Sequence, residues 1–268
     1  MAYCRRLVRT GLSMLLCIDS GNSKTKWAVF NGAGEVVDFG SGLNRELADL
    51  AFPSASEYQR IIVSNVAGAA HQASIIKRLA SNQAPMHTVQ SPAVMAGLRN
   101  HYQVAQALGS DRFAAMMAAY CMQKTSCVVV SAGTAVTIDA LCVHGAQADF
   151  LGGWILPGLH LMQQSLTQAT AQLPETSFSS KFADQTKFAR NTEDAMQFGA
   201  LNAVVGAIKE MSAALTANDN KPPHIIISGG DAALIKTGLA VTTPCSIVDN
   251  LVLHGLYFMD RNLQSESQ

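Results

Sequence analysis

The same sequence plan occurs twice in this chain of 268 residues: an apolar run, a turn of small polar residues, and a second run with strand character. The first copy covers residues 15–30 and the second covers residues 127–141. Apolar runs of this length around a glycine-containing turn are typical of buried strands joined as hairpins. Because two such copies are present in one chain, the pattern favours duplication of one fold.

Between and after the two copies, strand-like runs alternate with stretches of helical character. Apolar residues at helical spacing predict an amphipathic helix within residues 67–80, and an alanine-rich helix is predicted over residues 113–122. Residues 92–108 are predicted to be helical in parts. A long helix is predicted over residues 195–215, with Asn191 and Thr192 placed before it as an N-terminal cap. This alternation predicts an α/β fold with a mixed sheet in each of two domains.

Composition narrows the class of partner. The formal net charge is zero and the chain has no dense run of Lys and Arg, so we expect neither nucleic acid nor an anionic membrane as a partner. No apolar segment approaches the length that a membrane span requires. The six cysteines form no C-x-x-C pair and the seven histidines are scattered, which predicts reduced cysteines and no structural metal. A small-molecule partner is the better expectation.

Residues 1–13 contain three arginines ahead of the first apolar run, which superficially resembles a signal peptide. That run ends at Asp19, however, and no cleavage motif of small residues follows it. We therefore expect Met14 to be an alternative start and residues 1–13 to be a disordered extension of a cytoplasmic protein.

Three glycine-containing turns follow buried strands, at residues 19–23, 131–134 and 228–231. Each turn offers backbone amides and small side chains, which together suit a polyphosphate approached from several sides. None of the turns has the P-loop pattern or the G-x-G-x-x-G pattern of dinucleotide-binding folds. We expect the turns to gather in a cleft between the two domains, although the first turn alone is equally compatible with a hairpin that has a polar tip.

A charged pair, Asp111 and Arg112, stands at the start of the alanine-rich helix. An aspartate in this position is either an N-terminal cap or part of a functional site. The adjacent Arg112 is expected to keep the Asp111 carboxylate ionised, since a neighbouring cation favours the charged form. Another carboxylate, Asp139, either contacts a metal or merely ends a strand.

From Met14 onward the chain resembles the type III pantothenate kinases, a family within the actin, sugar kinase and Hsp70 ATPase superfamily. Eight segments carry the resemblance in the order that the family has them. They are residues 19–23, residues 97–98 with Asn100 and Tyr102, and residues 108–113, 133–139, 152–158, 191–195, 228–230 and 249–256.

The resemblance implies two actin-like (ribonuclease H-like) domains with mixed sheets and an ATP cleft between them. The first domain would cover residues 14–112 and the second residues 113–268, with the last helix, about residues 250–262, packing back on the first domain. The implied activity is transfer of the ATP γ-phosphate to the 4′-hydroxyl of pantothenate, the first step of coenzyme A biosynthesis. The implied assembly is a cytoplasmic homodimer.

The resemblance also implies a role for each matching residue. Asp111 would be the general base, and Arg112, with its planar fork of donors, could face the carboxylate of the substrate. The residues implied for ATP binding are Asp19, Ser20, Gly21, Asn22, Ser23, Lys24, Thr25, Lys26 and Thr134. Those implied for pantothenate are Tyr102, Gly109, Ser110, Asp111, Arg112 and Thr192, the last supplied by the partner subunit.

Two kinds of cation are implied as cofactors. Mg²⁺ would enter with ATP and lie near Asp19, through water. Family members commonly bind an activating monovalent cation, K⁺ or NH₄⁺, with an aspartate where this chain has Ser131. Because a neutral hydroxyl is a poorer cation ligand than a carboxylate, Ser131 either keeps weak cation binding or only holds the turn.

Two other functions are left open by the sequence. Some relatives of the family are named as transcriptional accessory factors, which suggests a non-catalytic regulator. A kinase that acts on a different small-molecule hydroxyl is the other alternative. An active enzyme is favoured by the presence of Asp19, Asp111, Arg112 and Thr192.

Overall fold

The structure is a computed structural model that describes residues 13–80, 83–169, 173, 188–240 and 242–266. It divides into two compact units, the first reaching Gln90 and taking in the residues from Leu263 onward, and the second comprising Ser91–Asn262. The boundary expected between residues 112 and 113 falls inside the second unit, because strands within residues 94–100 belong to its sheet. The expected extension at residues 1–13 lies, except for Ser13, outside the described residues.

The first unit is built on a five-stranded mixed sheet in the order β3-β2-β1-β4-β5. Helix α1 (Ala69–Leu79) lies between β4 and β5 in the chain, and 3-10 helices cover Asn44–Glu46 and Ala55–Glu57. The strands are β1 (Leu15–Ser20), β2 (Lys24–Phe30), β3 (Val36–Leu43), β4 (Arg60–Asn65) and β5 (Met86–Thr88). The hairpin predicted over residues 15–30 is therefore confirmed.

The core of the first unit is formed by alternate residues of the strands and by helix residues that lie one turn apart. Alternate residues of the strands, such as Leu16 and Ile18 of β1, share one face of the sheet and are buried. On α1, Ile75 and Leu79 lie one turn apart and pack into the same core. The amphipathic helix predicted within residues 67–80 is confirmed.

The second unit is built on a seven-stranded mixed sheet in the order β12-β11-β8-β9-β10-β7-β6. Its strands are β6 (Val94–Met95), β7 (Leu98–Asn100), β8 (Cys127–Ala132), β9 (Ala135–His144), β10 (Gln147–Pro157), β11 (His224–Ser228) and β12 (Cys245–Ile247). The helices that follow α1 are α2 (Ser110–Gln123), α3 (Leu159–Ala169), α4 (Thr192–Asp219), α5 (Ala232–Thr237) and α6 (Leu251–Glu266), of which α6 crosses the division between the units.

The two sheets share one strand plan. Strand β8 pairs antiparallel with β9 and parallel with β11, as β1 pairs antiparallel with β2 and parallel with β4. The outer strands repeat the plan, since β10 follows β9 as β3 follows β2, and β12 follows β11 as β5 follows β4. The second sheet differs only by the addition of β7 and β6 beyond β10. The predicted duplication of architecture is thus confirmed.

The prediction that residues 92–108 are helical in parts is confirmed only by a 3-10 helix at Ala105–Ala107, and it missed the strands β6 and β7. Ala96 and Gly97, both with positive φ, turn the chain between the two strands. Strand β7 then pairs in parallel with β10, far along the chain, and this tertiary pairing overrides the weak local preference.

The expectation that no apolar segment approaches the length of a membrane span is wrong, because α4 has the required length and apolar composition. Its burial gives a different explanation for that composition. Val204, Ile208 and Leu215 lie on one side of the helix and belong to the core cluster that includes strand residues of β8 and β9. The apolarity of α4 is therefore accounted for by packing within the second unit.

Candidate active site

The turn between β1 and β2 is held by a residue from outside the hairpin. Within the turn, the Gly21 N–H donates to the Lys24 carbonyl at 3.1 Å. From outside, Asn44 Nδ2 donates to the carbonyls of Gly21 at 2.7 Å and Asn22 at 3.0 Å. Sequence reasoning missed Asn44, which lies in a short 3-10 helix with no motif around it. Because Asn44 takes up these carbonyls, it fixes the shape of the predicted phosphate-binding turn.

The predicted ATP-binding residues of this hairpin differ in exposure. Ser20 and Thr25 are fully buried. The Ser20 hydroxyl donates to Asn65 Oδ1 at 2.9 Å, and Thr25 Oγ1 lies 2.9 Å from both Asn44 Oδ1 and His71 Nε2. These two hydroxyls therefore attach the hairpin to β4, to α1 and to the 3-10 helix at Asn44–Glu46. The residues with exposed surface are Asn22, Ser23 and Lys24, with Asp19, Gly21 and Lys26 half-buried.

The corresponding turn between β8 and β9 is contacted by the start of α3. Gly133 and Thr134 are exposed, and the Thr134 carbonyl accepts a hydrogen bond from the Gly158 N–H at 2.9 Å. A Cβ atom on Gly158 would lie 2.2 Å from the Gly133 carbonyl oxygen. Only glycine allows this close approach. The backbone at the tip of the hairpin therefore packs directly against the backbone at the start of α3.

The turn that follows β11 meets the same hairpin. Ser228 is in register with Ser131, and the Asp231 N–H points to the Ala132 carbonyl at 3.5 Å. Gly229 has φ of +110°, and a Cβ atom there would lie 2.1 Å from that carbonyl. Two of the three predicted turns, residues 131–134 and 228–231, are thus adjacent in the second unit. The first turn belongs to the first unit, and a cleft between domains stays a prediction.

Asp111 lies in the first turn of α2 and does not cap it. The N-cap residue is Gly109, and among the described residues no side chain caps this helix. The half-buried Asp111 carboxylate instead accepts the backbone N–H of Arg112 through Oδ1 at 2.8 Å. The capping interpretation is therefore wrong, because the helix begins one residue before Asp111.

Burial raises the pKa of Asp111 above its ordinary value. The hydrogen bond from the Arg112 backbone and the Arg112 charge oppose that rise and do not outweigh it. Arg112 favours the ionised carboxylate, as expected, but loss of solvation is the larger effect on the pKa of Asp111. A carboxylate with a raised pKa holds a proton more strongly and is a better base when ionised.

The Arg112 side chain forms a buried ion pair with Asp139 of β9. Both residues are almost completely buried, with exposed fractions of 6% and 1%. Arg112 Nε lies 3.2 Å from each carboxylate oxygen, and Nη2 donates to Oδ1. Burial alone would lower the pKa of Arg112, but the hydrogen bonds and charge of Asp139 raise it. Asp139 lies inside β9, so the alternative that it merely ends a strand is wrong, and its carboxylate binds Arg112. Contact with a metal stays a prediction.

The same guanidinium also fixes Tyr102. Arg112 Nη1 donates to the Tyr102 hydroxyl at 2.6 Å. The Arg112 Cζ atom lies 5.5 Å from the centroid of the Tyr102 ring and 5.8 Å from that of Phe150, and the two rings are stacked at 5.7 Å. Since Asp139 and Tyr102 together engage Nε, Nη1 and Nη2, little of the fork remains for a substrate carboxylate. That role for Arg112 stays a prediction.

Gly153 of β10 makes room for the ion pair. A Cβ atom at this position would lie 2.0 Å from Asp139 Oδ1 and 2.9 Å from Arg112 Nη2. Any side chain here would have to displace the buried pair. Gly153 therefore belongs to the supporting structure of the site, although the sequence offered no signal beyond its place in a glycine-containing segment.

The remaining predicted residues lie at the ends of elements. Asn191 caps α4, with Oδ1 accepting the Asp194 N–H at 2.8 Å, which confirms the predicted cap. Thr192 is the first residue of α4 and is exposed. Ser131 is half-buried near the end of β8, where it is in register with Thr137 of β9. Ser110 is buried beside Asp111.

Comparisons with known proteins agree on one family. The family model for type III pantothenate kinase matches residues 15–214. A protein of Nitrosospira multiformis named type III pantothenate kinase is 38% identical over 254 residues, which cover 92% of this chain and 91% of that protein.

Solved structures show the fold. A chain from Campylobacter jejuni described as a Baf family transcriptional activator has a TM-score of 0.59 at 21% identity, with 94% of this chain and 98% of that chain covered. A chain from Sinorhizobium meliloti described as a 2-dehydro-3-deoxygalactonokinase has a TM-score of 0.53 at 15% identity, with 92% and 96% covered. Both likenesses concern the fold alone, and they confirm the predicted actin-like, sugar-kinase-type architecture.

Proposed function

The chain belongs to the type III pantothenate kinase family, and on that premise we propose how its residues carry out the reaction. The enzyme phosphorylates pantothenate with ATP, the step that begins coenzyme A biosynthesis. One observation supports the assignment of the general base. Asp111 is a half-buried carboxylate at the start of α2 whose pKa is raised and which caps no described helix.

Asp111 is the general base that accepts the proton of the 4′-hydroxyl. Phosphoryl transfer passes through a loose transition state, so most of the rate comes from positioning and from neutralising phosphate charge. The hydroxyl must nevertheless lose its proton as the new bond forms, and a carboxylate within hydrogen-bond reach can take it. The raised pKa makes Asp111 a stronger acceptor than an ordinary aspartate.

The pantothenate pocket is formed around a preorganised framework. The Asp139 carboxylate holds Arg112, and Arg112 in turn holds the Tyr102 hydroxyl and stands beside Asp111 in α2. Tyr102, Gly109 and Ser110 line the pocket. Because the guanidinium is fixed on several sides, it keeps these groups in place without reorganisation during the reaction.

The nucleotide is held by the glycine-containing turns. The exposed residues of the β1–β2 hairpin contact the phosphates, and Thr134 contacts the nucleotide from the second hairpin. Mg²⁺ supplies charge neutralisation on the phosphates, and an oxygen donor such as the Asp19 carboxylate suits its preference for oxygen ligands and water. Ser131 stands at the monovalent cation position, where one neutral oxygen makes any K⁺ or NH₄⁺ binding weak.

The described cysteines are free thiols, in keeping with a cytoplasmic protein.

Purified protein with Mg²⁺ and ATP is expected to convert pantothenate to 4′-phosphopantothenate, measured by mass spectrometry of the product. Pantetheine and simple sugars serve as competing acceptors in parallel reactions. Paired reactions in potassium and sodium buffers are expected to differ little, because Ser131 is a poor cation ligand. Preference for another acceptor would contradict the assignment of pantothenate, and strict dependence on K⁺ would contradict the assignment of Ser131.

The active enzyme is a homodimer in which Thr192 of each subunit completes the pantothenate site of the other. Thr192 is exposed at the first residue of α4, so it is accessible to a second copy of the chain. A C₂ dimer would then contain two equivalent shared sites.

Mixing two inactive variants tests this sharing. Asp111→Asn removes the base, and Thr192→Arg fills the position with a long cation. If each site combines Asp111 of one subunit with Thr192 of the other, a refolded equimolar mixture contains heterodimers with one intact site. The mixture is then expected to recover about a quarter of the wild-type activity, since half of the randomly formed dimers are mixed. No recovery, with dimers present by sedimentation, would place both residues in the same subunit's site.

A further inference from the structure

Three potential metal ligands converge at the end of the second sheet. Cys142 and His144 are two residues apart on β9, so their side chains share one face of the strand. Asp219 is the last residue of α4. The Cys142 Sγ atom lies 3.2 Å from His144 Nε2, and the donor atoms of all three residues lie within 4.8 Å of one another.

The surroundings of the cluster suit a cation. The C-terminal end of a helix carries partial negative charge, and Asp219 closes a helix of 28 residues. Two donors point at the cysteine sulfur, Asn218 Nδ2 at 3.4 Å and the Ser126 hydroxyl at 3.9 Å. Such partners in the outer shell orient a coordinating ligand and hold it in place.

We propose that Cys142, His144 and Asp219 form a binding site for a Zn²⁺ ion. Thiolate and imidazole are ligands that Zn²⁺ prefers, whereas Mg²⁺ takes oxygen ligands. With Zn–S near 2.3 Å and Zn–N near 2.1 Å, a tetrahedral ion places the two donor atoms about 3.5 Å apart, close to the separation observed. Binding releases the thiol proton to solvent, and water takes the fourth position, since His144 is exposed and Asp219 is only half-buried.

The sequence predicted no structural metal, because these three ligands come together only in the folded chain. The C-x-H spacing on β9 is not one of the familiar zinc patterns, and the third ligand comes from α4, much later in the chain. Bound Zn²⁺ would tie the end of α4 to β9 and so stabilise the second unit. None of the three residues belongs to the proposed kinase site, so the inference stands independently of the proposed function.

Titration of the tag-free, full-length protein with ZnCl₂ tests the site, after treatment with a chelator and without nucleotide. Calorimetry is expected to show one Zn²⁺ per chain, with a rise in Tm on binding. Co²⁺ in place of Zn²⁺ is expected to give a sulfur-to-metal charge-transfer band. Cys142→Ser and His144→Ala should each weaken binding by at least about 100-fold, and Asp219→Asn by about 10-fold.

Matched variants separate this site from other thiols and imidazoles. Cys245→Ser changes another cysteine of the second unit, and His87→Ala changes an exposed histidine of the first, and both should bind Zn²⁺ as the wild type does. His144→Ala and Asp219→Asn alter side chains with solvent contact, so their Tm without metal is expected to be unchanged. The proposal would be overturned if the wild type failed to bind micromolar Zn²⁺, or if Cys142→Ser and His144→Ala bound Zn²⁺ as tightly as the wild type.

Discussion

Asp111→Asn is expected to lower kcat for pantothenate phosphorylation by roughly 10²- to 10⁴-fold, the usual contribution of a positioned acid or base. The amide keeps the shape of the carboxylate and its hydrogen bond to the Arg112 backbone, so the pocket is preserved. It has no means of accepting the hydroxyl proton. KM for both substrates should therefore change little, and steady-state kinetics with saturating Mg²⁺ and ATP separates the two parameters.

The same variant is expected to be at least as stable as the wild type. Burial raises the pKa of Asp111 in the folded state, so folding favours the protonated carboxyl. The stabilisation that comes with protonation is complete below the ordinary pKa of 3.8 and is lost as the pH rises through the raised folded value. At neutral pH the ionised group therefore costs stability, and replacing it with an uncharged amide removes that cost. A Tm at or above the wild-type Tm at pH 7 is the expected result.

The pH dependence and a matched variant complete this test. Because the base must be ionised, kcat/KM should fall at acidic pH with a midpoint above the ordinary value of 3.8. Asp38 of β3 is an exposed aspartate whose Oδ1 also accepts the backbone N–H of the next residue, at 2.9 Å. Asp38→Asn should leave kcat unchanged. Full activity of Asp111→Asn would remove this residue from the mechanism.

Asp139→Leu is expected to lower the free energy of unfolding by about 3–5 kcal/mol, because it leaves the buried Arg112 cation without its partner. The double variant Arg112→Met/Asp139→Leu should recover most of that loss, since neither charge is then buried. Urea denaturation of the wild type, both single variants and the double variant measures the coupling between the two positions. Kinase activity should stay low in the double variant, since the Tyr102 hydroxyl has lost the donor that positions it.

An exposed ion pair serves as the control for this set of single and double variants. Arg45 and Glu46 lie 3.2 Å apart with most of their side chains in solvent, and Arg45→Met should cause little measurable change in stability. Losses at Arg112 and Asp139 that simply add, with no recovery in the double variant, would show that the two side chains do not act as a pair.

Local patterns predicted the parts of this fold that depend on local chemistry. The β1–β2 and β8–β9 hairpins combine apolar runs with glycine-containing turns, and the cap at Asn191 has its partner three residues away. Strands β6 and β7 are only two and three residues long, and pairing with β10 decides their conformation. Nothing in residues 92–108 reveals that partner.

In the candidate site, too, only the residues that local chemistry marks could be predicted from the sequence. Asp111 could be singled out because a charged residue is unusual at the start of so apolar a helix. Asn44, Asp139 and Gly153 take their importance from what they touch in three dimensions, and such contacts leave no spacing pattern in the sequence. The raised pKa of Asp111 could not be predicted either. The sequence shows that Arg112 is adjacent, but it does not show that Asp111 is buried.

The two strands that the second sheet adds beyond β10 have a consequence for how new specificities could be built on this scaffold. Strand β7 leads directly to Tyr102, and the same segment continues to Asp111. On the proposed assignment, recognition of the acceptor alcohol rests on residues 91–112, a module without counterpart in the first sheet, and on Thr192 of the partner subunit. Handling of the phosphate donor resides in the duplicated hairpins. Grafting a different segment onto the β10 edge, with Asp111 kept, would then change the acceptor and leave the donor chemistry intact.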